Sequence, residues 1–302
     1  MAAPLSTRPV TMVSPFVAGG TNDLLCRLLA ENMGKSLGTT FVVDNRAGAN
    51  GNIGTAFVAK QPPDGQTLLM GNSATHGTNP TLYPNQPFDA LKDFAPVCMV
   101  AAVPVVLAVS TELGINSVAD LIAYAKKNPG KLAFGSSGIG GSGHLCGEIF
   151  KTATKLDMVH VPYKGDVPAI QEVMGGQLAL AFVGVGPATV GIKSGKVKAL
   201  AVASSRRAST LPDVHTVEEA GYKGVEVTQW YGLFARSGSP KDMLDRMSAA
   251  AKEALAKEEV REKMLTQSIE PTYLPADELN VFYRNEIKRF REVIQRLNIK
   301  VT

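Results

Sequence analysis

Pro15-Phe16-Val17-Ala18-Gly19-Gly20-Thr21-Asn22-Asp23 joins a β-branched run, Val10-Thr11-Met12-Val13, to a segment where Leu24, Leu25, Leu28, Leu29, Met33 and Leu37 recur at helical spacing. A glycine turn between strand and helix leaves backbone N–H groups pointing outward at the positive end of the helix dipole, a place that suits an anion. A second stretch, Ser136-Ser137-Gly138-Ile139-Gly140-Gly141-Ser142-Gly143-His144, has the same form. One carboxylate fits the N–H groups after Gly19-Gly20. A second fits Ser136, Ser137, Ser142 and the amides from Gly138 to Gly143. A single loop of this kind reads more simply as a tight βα turn with an empty cradle. Two of them, one per domain, point to a ligand held from both sides.

The surrounding pattern alternates strand and helix. Phe41-Val42-Val43 and Thr67-Leu68-Leu69-Met70 read as strands, with a helix between them that Asn52 caps and Pro62-Pro63-Asp64-Gly65 stops. Ala95 to Ser110 is strand-rich, punctuated by Pro96 and Pro104, and reads as a crossing into a second domain. There a helix from Ser117, strands at Leu132–Phe134, Met158–Val161, Leu178–Val183 and Ala199–Ala203, and intervening helices follow. A return crossing falls near Val225–Phe234, and the rest reads as mostly helical, with Leu279, Phe282, Tyr283, Ile287, Phe290, Val293, Ile294 and Leu297 in one apolar stripe. A chain of 302 residues exceeds what one core usually spans. The expected architecture is α/β with doubly wound parallel sheets, in two lobes: 1–101 plus 226–302, and 102–225. Two crossings make a hinge with a cleft between the lobes, and in such sheets ligands sit beyond the carboxyl ends of the strands.

Composition narrows the function. The net charge of +4 is dispersed, with no basic block longer than a dipeptide, which argues against nucleic acid and suits a small anionic ligand. Cys26, Cys98 and Cys146 lack metal-ligand spacing and read as small buried hydrophobes. His76, His144, His160 and His215 form no metal motif, so neither a metal nor another cofactor is expected. No apolar run approaches the roughly 20 residues of a membrane span. Residues 1–9 contain no leader-like apolar core, so the chain is either cytoplasmic or a mature exported protein with an added Met.

Enzymatic uses of the second loop fare poorly. Gly138-x-Gly140-x-x-Gly143 matches a dinucleotide fingerprint, which needs an acid at the end of the next strand to hold a ribose. The nearby acid is Asp157, at the start of that strand, and the strand ends in Pro162-Tyr163-Lys164-Gly165. Ser142 sits in Gly-Gly-Ser-Gly-His, which lacks the last glycine of a nucleophile elbow, and there is no Walker A sequence. His144 is either a base, a ligand contact or a cap within its own helix. Glu218-Glu219 and Glu258-Glu259 read as solvated faces. Binding without chemistry fits best.

At this point the motifs resemble a known family. Pro15-Phe16-x-x-Gly19-Gly20-x-x-Asp23 with Arg27, Asn45-Arg46-x-Gly48-Ala49-x-Gly51-Asn52-Ile53-Gly54, Pro63-Asp64-Gly65, Asn79-Pro80-x-Leu82-Tyr83, Leu91 to Val97, His160-Val161-Pro162-Tyr163-Lys164-Gly165, Gly175-Gly176-Gln177 and Trp230-Tyr231-Gly232-Leu233-Phe234 run in the order of the Bug (TctC-type) solute receptors of tripartite tricarboxylate transporters. The resemblance implies a type II periplasmic binding fold, a venus flytrap with two hinge crossings. It also implies a periplasmic, monomeric, non-catalytic receptor that delivers a carboxylic acid to membrane transporter subunits. By motif, Phe16, Ala18, Gly19, Gly20 and Asn22 are first-lobe contacts, Asp23 orients that loop, and Ser73 and His76 lie on the neighbouring one. The second lobe offers Ser136, Ser137, Gly138, Ser142 and His144, with Tyr163 and Lys164 nearby. Where the family carries Phe-Asp-Asn near the pocket, this chain has Phe182-Val183-Gly184. An anchor that is apolar and small at Val183 and Gly184 implies a ligand without an amino or hydroxyl group there, an aromatic or aliphatic dicarboxylate. A nucleotide-dependent enzyme built on Gly138, Gly140 and Gly143, and a sensing receptor uncoupled from transport, stay as alternatives.

Overall fold

The computed structural model describes residues 8–301; the start of the chain, on which the absence of a leader was read, lies largely outside them. The elements follow in the order β1 (Val10–Ser14), α1 (Thr21–Leu37), β2 (Phe41–Asn45), α2 (Asn52–Ala59), β3 (Thr67–Asn72), α3 (Asn79–Leu82), β4 (Phe94–Ser110), α4 (Val118–Lys127), β5 (Ala133–Ser136) and α5 (Ser142–Thr154). They continue with β6 (Val159–Pro162), α6 (Asp166–Met174), β7 (Leu180–Gly184), α7 (Val185–Lys193), β8 (Val197–Val202), β9 (Thr228–Arg236), α8 (Lys241–Ala256), α9 (Glu258–Leu265), β10 (Glu270–Pro275) and α10 (Ala276–Arg296).

The chain divides into two compact units. Among the described residues the first comprises 8–102, 230–266 and 270–291; the second comprises 103–229, with 267–269 and 292–301 grouped alongside it. No feature of the sequence marks those last two short excursions.

In the first unit the strand order is β2-β1-β3-β9-β4-β10. β1 runs parallel to β2 and β3, whereas β9 is antiparallel to β3 and β10 antiparallel to β4. In the second unit the order is β8-β4-β7-β5-β6, with β5 parallel to β6 and β7, and β4 antiparallel to β7 and β8. The sheets are therefore mixed rather than wholly parallel. Strands that return from the other unit enter with reversed direction, which alternation of strand and helix along the sequence does not reveal.

Two local expectations are corrected. Pro96 and Pro104 do not break the 94–110 region; β4 is one strand of 17 residues. Its early residues pair with first-unit strands and its later residues with β7 and β8, and Pro104 lies next to the changeover. Proline is tolerated where the ladder does not need its N–H. Asn52 does not cap α2: the cap is Gly51, in the left-handed region, and Asn52 is the first helical residue. Its side chain instead accepts a hydrogen bond from Asn79 Nδ2 at 2.8 Å.

Each unit has its own core. Val13, Leu69, Phe94, Trp230, Phe234, Tyr283 and Ile287 close the first, so the early part of the α10 stripe packs on its own sheet. Val106, Ile170, Ala181, Val183, Val185 and Val202 close the second. Among the described residues no helix is long and apolar enough to cross a membrane.

Candidate functional site

The first loop leaves β1 at Ser14 and enters α1 at Thr21, with Val17 to Gly20 exposed. Gly19 has φ +84°, a conformation that favours glycine, and Gly20 is the helix cap without any side-chain capping bond. The first intrahelical bond runs from Leu24 N to Gly20 O, so the N–H groups at the start of α1 have no partner within the helix. One N–H of the loop is committed inward: Gly19 donates to Asp23 Oδ2 at 2.9 Å. Arg27 Nε donates to the same oxygen at 3.0 Å. Burial alone would raise the Asp23 pKa, but the bonds from Arg27, Gly19 and Asn45 outweigh it and hold the carboxyl below its ordinary range.

Phe16 is half-buried, and its carbonyl accepts from Ser14 Oγ and from Asn45 Nδ2, both at 3.2 Å, which fixes the loop onto β2. Ala18 stays exposed. The Asn22 side chain is buried: Nδ2 donates to Met70 O at 2.8 Å and Oδ1 accepts from Asn72 Nδ2 at 3.1 Å. Asn72 in turn accepts from the N–H groups of Ala74 and Thr75, and the buried Ser73 donates its N–H to Trp230 O.

His76 is a correction. It is completely buried, stacked on Phe234 at 4.0 Å and edge-on to Phe94 and Tyr283. A π-type turn over Ala74–Thr78 draws the ring into the core, where Nδ1 lies 3.0 Å from Thr75 Oγ1. Burial pushes its pKa down to about 3. It is a neutral core side chain and presents nothing to a ligand.

The second loop lies between β5 and α5. Ser136 is buried, its Oγ 2.7 Å from His160 Nε2 and accepting from Gly138 N at 3.2 Å. Gly140 N donates to His144 Nδ1 at 3.0 Å, so His144 closes the loop from within its own helix, and Nε2 carries its proton. His144 stacks on His160 at 3.8 Å. Burial leads the causes that lower both pKa values, His144 to about 3 and His160 to about 4. The pair is neutral at ordinary pH, so it acts through shape and hydrogen bonds rather than charge. Gly138 has φ +131°, and Gly143 packs so closely on β7 that a Cβ there would stand 2.1 Å from Phe182 O. These are the physical reasons for the glycines of the fingerprint, with no nucleotide required. Ser142 opens α5 and is buried, Ser137 is half-buried, Tyr163 is half-buried with its N–H donated to Ser136 O, and Lys164 is exposed.

Val183 is the second correction. Its side chain is wholly buried in the core of the second unit and lines no site. Gly184 is not left with an apolar surrounding either: its N–H donates to Asp166 Oδ2 at 3.0 Å. Asp166 begins α6, four residues beyond β6, and is the acid that the search for a ribose partner passes over. An acid within a few residues of the strand end was its only sequence signal. Its Oδ2 is turned to Gly184 and Gln229 within the second unit. Among the described residues no group of three or more His, Cys, Asp or Glu could hold a metal ion. The three cysteines are buried, and burial pushes Cys98 up to about 12.

The family model of the tripartite tricarboxylate transporter family receptor (TctC) matches residues 25–299. The chain belongs to this receptor family. It is 35% identical to Protein BugT of Bordetella pertussis, covering 100% of this chain and 94% of that protein. Among solved structures it resembles R. palustris Rpa4515 with adipate, at 35% identity, TM-score 0.86, and 97% and 98% coverage of the two chains. It also resembles MatC from Rhodopseudomonas palustris with bound malate, at 31% identity, TM-score 0.79, and 95% and 99% coverage. The receptor has the two-lobed fold of periplasmic solute-binding proteins and is not an enzyme, which removes the nucleotide-dependent alternative.

Proposed function

We propose that this receptor captures a small aliphatic dicarboxylate in the periplasm and delivers it to the membrane subunits of a tripartite tricarboxylate-type transporter. The observation that carries this is the repeated construction of the two loops. Each unit holds a glycine turn that enters a helix of more than two turns, and in each a glycine N–H is tied to the side chain four residues on. That bond stiffens the turn and leaves the N–H groups of the first helical turn to an anion, the positive end of the dipole adding about 0.3–1 kcal/mol where exposed. Each loop offers these N–H groups to a carboxylate. The relatives with adipate and malate bound support the ligand class. Phe16, Ala18, Gly19, Gly20 and the Asn22 backbone serve the first loop; Ser136, Ser137, Gly138, Ser142 and Tyr163 serve the second. The receptor works as a monomer.

Two measurements test this. Thermal unfolding against a panel of mono-, di- and tricarboxylates is expected to show stabilisation by dicarboxylates, about 2.7 kcal/mol at a hundredfold excess over Kd. Mass spectrometry of ligand released from freshly purified protein is expected to find an unaltered dicarboxylic acid. Stabilisation by neutral sugars or amines alone would overturn the reading.

A further inference from the structure

In the second unit the parallel strands β6, β5 and β7 end side by side, and the segments that follow them meet at one carboxyl group. Asp166 Oδ2 accepts from Gly184 N at 3.0 Å and from Gln229 Nε2 at 3.3 Å. The Ser137 hydroxyl, part of the glycine loop, also helps to hold the charged form. Asp166 Oδ1 is enclosed and has no partner in hydrogen-bond geometry. A Cβ added at Gly184 would stand 3.2 Å from Asp166 Oδ2, so the carboxyl occupies the place a side chain at 184 would take. The polar group expected from β7 thus arrives from α6 instead.

This placement is costly on two counts. A carboxylate set among the strand ends that hold an anion cradle repels the anion. An enclosed carboxylate oxygen without a donor has lost its water with nothing in return. Both costs are relieved by one kind of ligand, an acid that carries a hydrogen-bond donor beside its bound carboxylate. We propose that Asp166 Oδ1 receives a hydroxyl or ammonium substituent on the carbon next to the carboxylate held by the Ser136–Gly143 loop, and that Asp166 thereby selects substituted over plain dicarboxylates. Burial holds the Asp166 pKa above its ordinary value even with the donors at Oδ2, as expected of a carboxyl that is under-supplied with partners. The proposal rests on the carboxylate reading above, and it replaces the plainer ligand that Val183-Gly184 suggests in the sequence.

Isothermal titration with succinate, malate and aspartate tests it, since these share one carbon skeleton and differ in the substituent. Adipate, 2-hydroxyadipate and 2-aminoadipate, run in parallel, cover a longer ligand. In the wild-type protein the substituted acid is expected to bind at least about tenfold more tightly than the plain one. In Asp166→Ala the ratio is expected to fall to within about threefold. Asp166→Asn, which keeps an acceptor oxygen but not the charge, is expected to lose the ammonium preference and keep part of the hydroxyl preference. Circular dichroism and melting curves check that each variant folds; if Asp166→Ala does not, Asp166→Asn decides alone through its amino-to-plain ratio. Equal wild-type affinity for plain and substituted acids, or discrimination that survives in the variants, overturns the proposal. Binding of no acid in either series defeats the carboxylate reading, and the proposal with it.

Discussion

The two glycine loops solve one problem with different chemistry. In the first, the residue four places after the tied glycine is a carboxylate, Asp23, steadied by Arg27. In the second it is a neutral imidazole, His144, stacked on His160. A charged closure depends on a partner and a pH above the carboxylate range; a neutral one depends on packing and on staying deprotonated. The packing difference extends to the glycines. Gly20 has open surroundings, the nearest atom to an added Cβ being Val17 O at 3.7 Å, whereas Gly143 has none to spare.

Substitution of those two glycines is expected to separate the loops most widely. Gly143→Ala forces a methyl against backbone and is expected to cost about 3 kcal/mol or more of stability, or to prevent the second unit from folding. Gly20→Ala, whose φ of −85° any residue adopts, is expected to cost less than about 1 kcal/mol. Urea unfolding curves of the two variants give the comparison directly. A tolerated Gly143→Ala would mean that α5 can lift from β7.

Acid should divide the loops next. His76 and His144 are held down to about 3, and His160 to about 4, against an ordinary value near 6.5. Between those limits the unfolded chain binds more protons than the folded one, so stability falls as pH drops from about 6.5 toward 4. Asp23, whose folded pKa is depressed, keeps its contribution until pH falls below its ordinary 3.8 and toward its folded value. Melting temperatures measured from pH 7 to pH 4 are therefore expected to fall throughout, and His144→Gln is expected to flatten part of that slope while Asp23→Asn leaves it unchanged. At pH 7, Asp23→Ala is expected to cost about 1–2 kcal/mol by freeing the Gly19 N–H and the Arg27 side chain. Arg27→Ala, on the exposed side of the same pair, is expected to cost less than Asp23→Ala in the same denaturation series.

The loops themselves were readable in the sequence because glycine before an amphipathic run has few other uses, and the strand and helix on either side are continuous in sequence. Much of the rest depends on contacts that no local pattern announces. His76 looked like a loop residue because Gly71 to His76 is polar, yet a π-type turn carries its ring onto Phe234. Pro96 and Pro104 looked like breaks because a proline's missing N–H weakens a central strand, yet β4 changes partners beside Pro104 and loses little. Asn52 looked like a cap because of its type, and its amide instead joins a network with Asn50 and Asn79. Asp166 carried only a weak signal, because its partners, Gly184 and Gln229, lie 18 and 63 residues away along the chain.

The passage of β4 from one unit to the other has a consequence for biogenesis. The second unit is nearly continuous from residue 103 to 229, so it can form soon after that stretch is synthesised. The first unit cannot. Its β9 inserts between β3 and β4, and its β10 covers the far side of β4, so an N-terminal half made early must wait for the last quarter of the chain. During that interval β3 and the opening residues of β4 have unpaired edges rich in buried apolar side chains, the kind of segment that aggregates. The long-range order of the strands thus leaves an unfinished first unit open to aggregation, and makes truncation near the C-terminus more damaging to it than to the second unit.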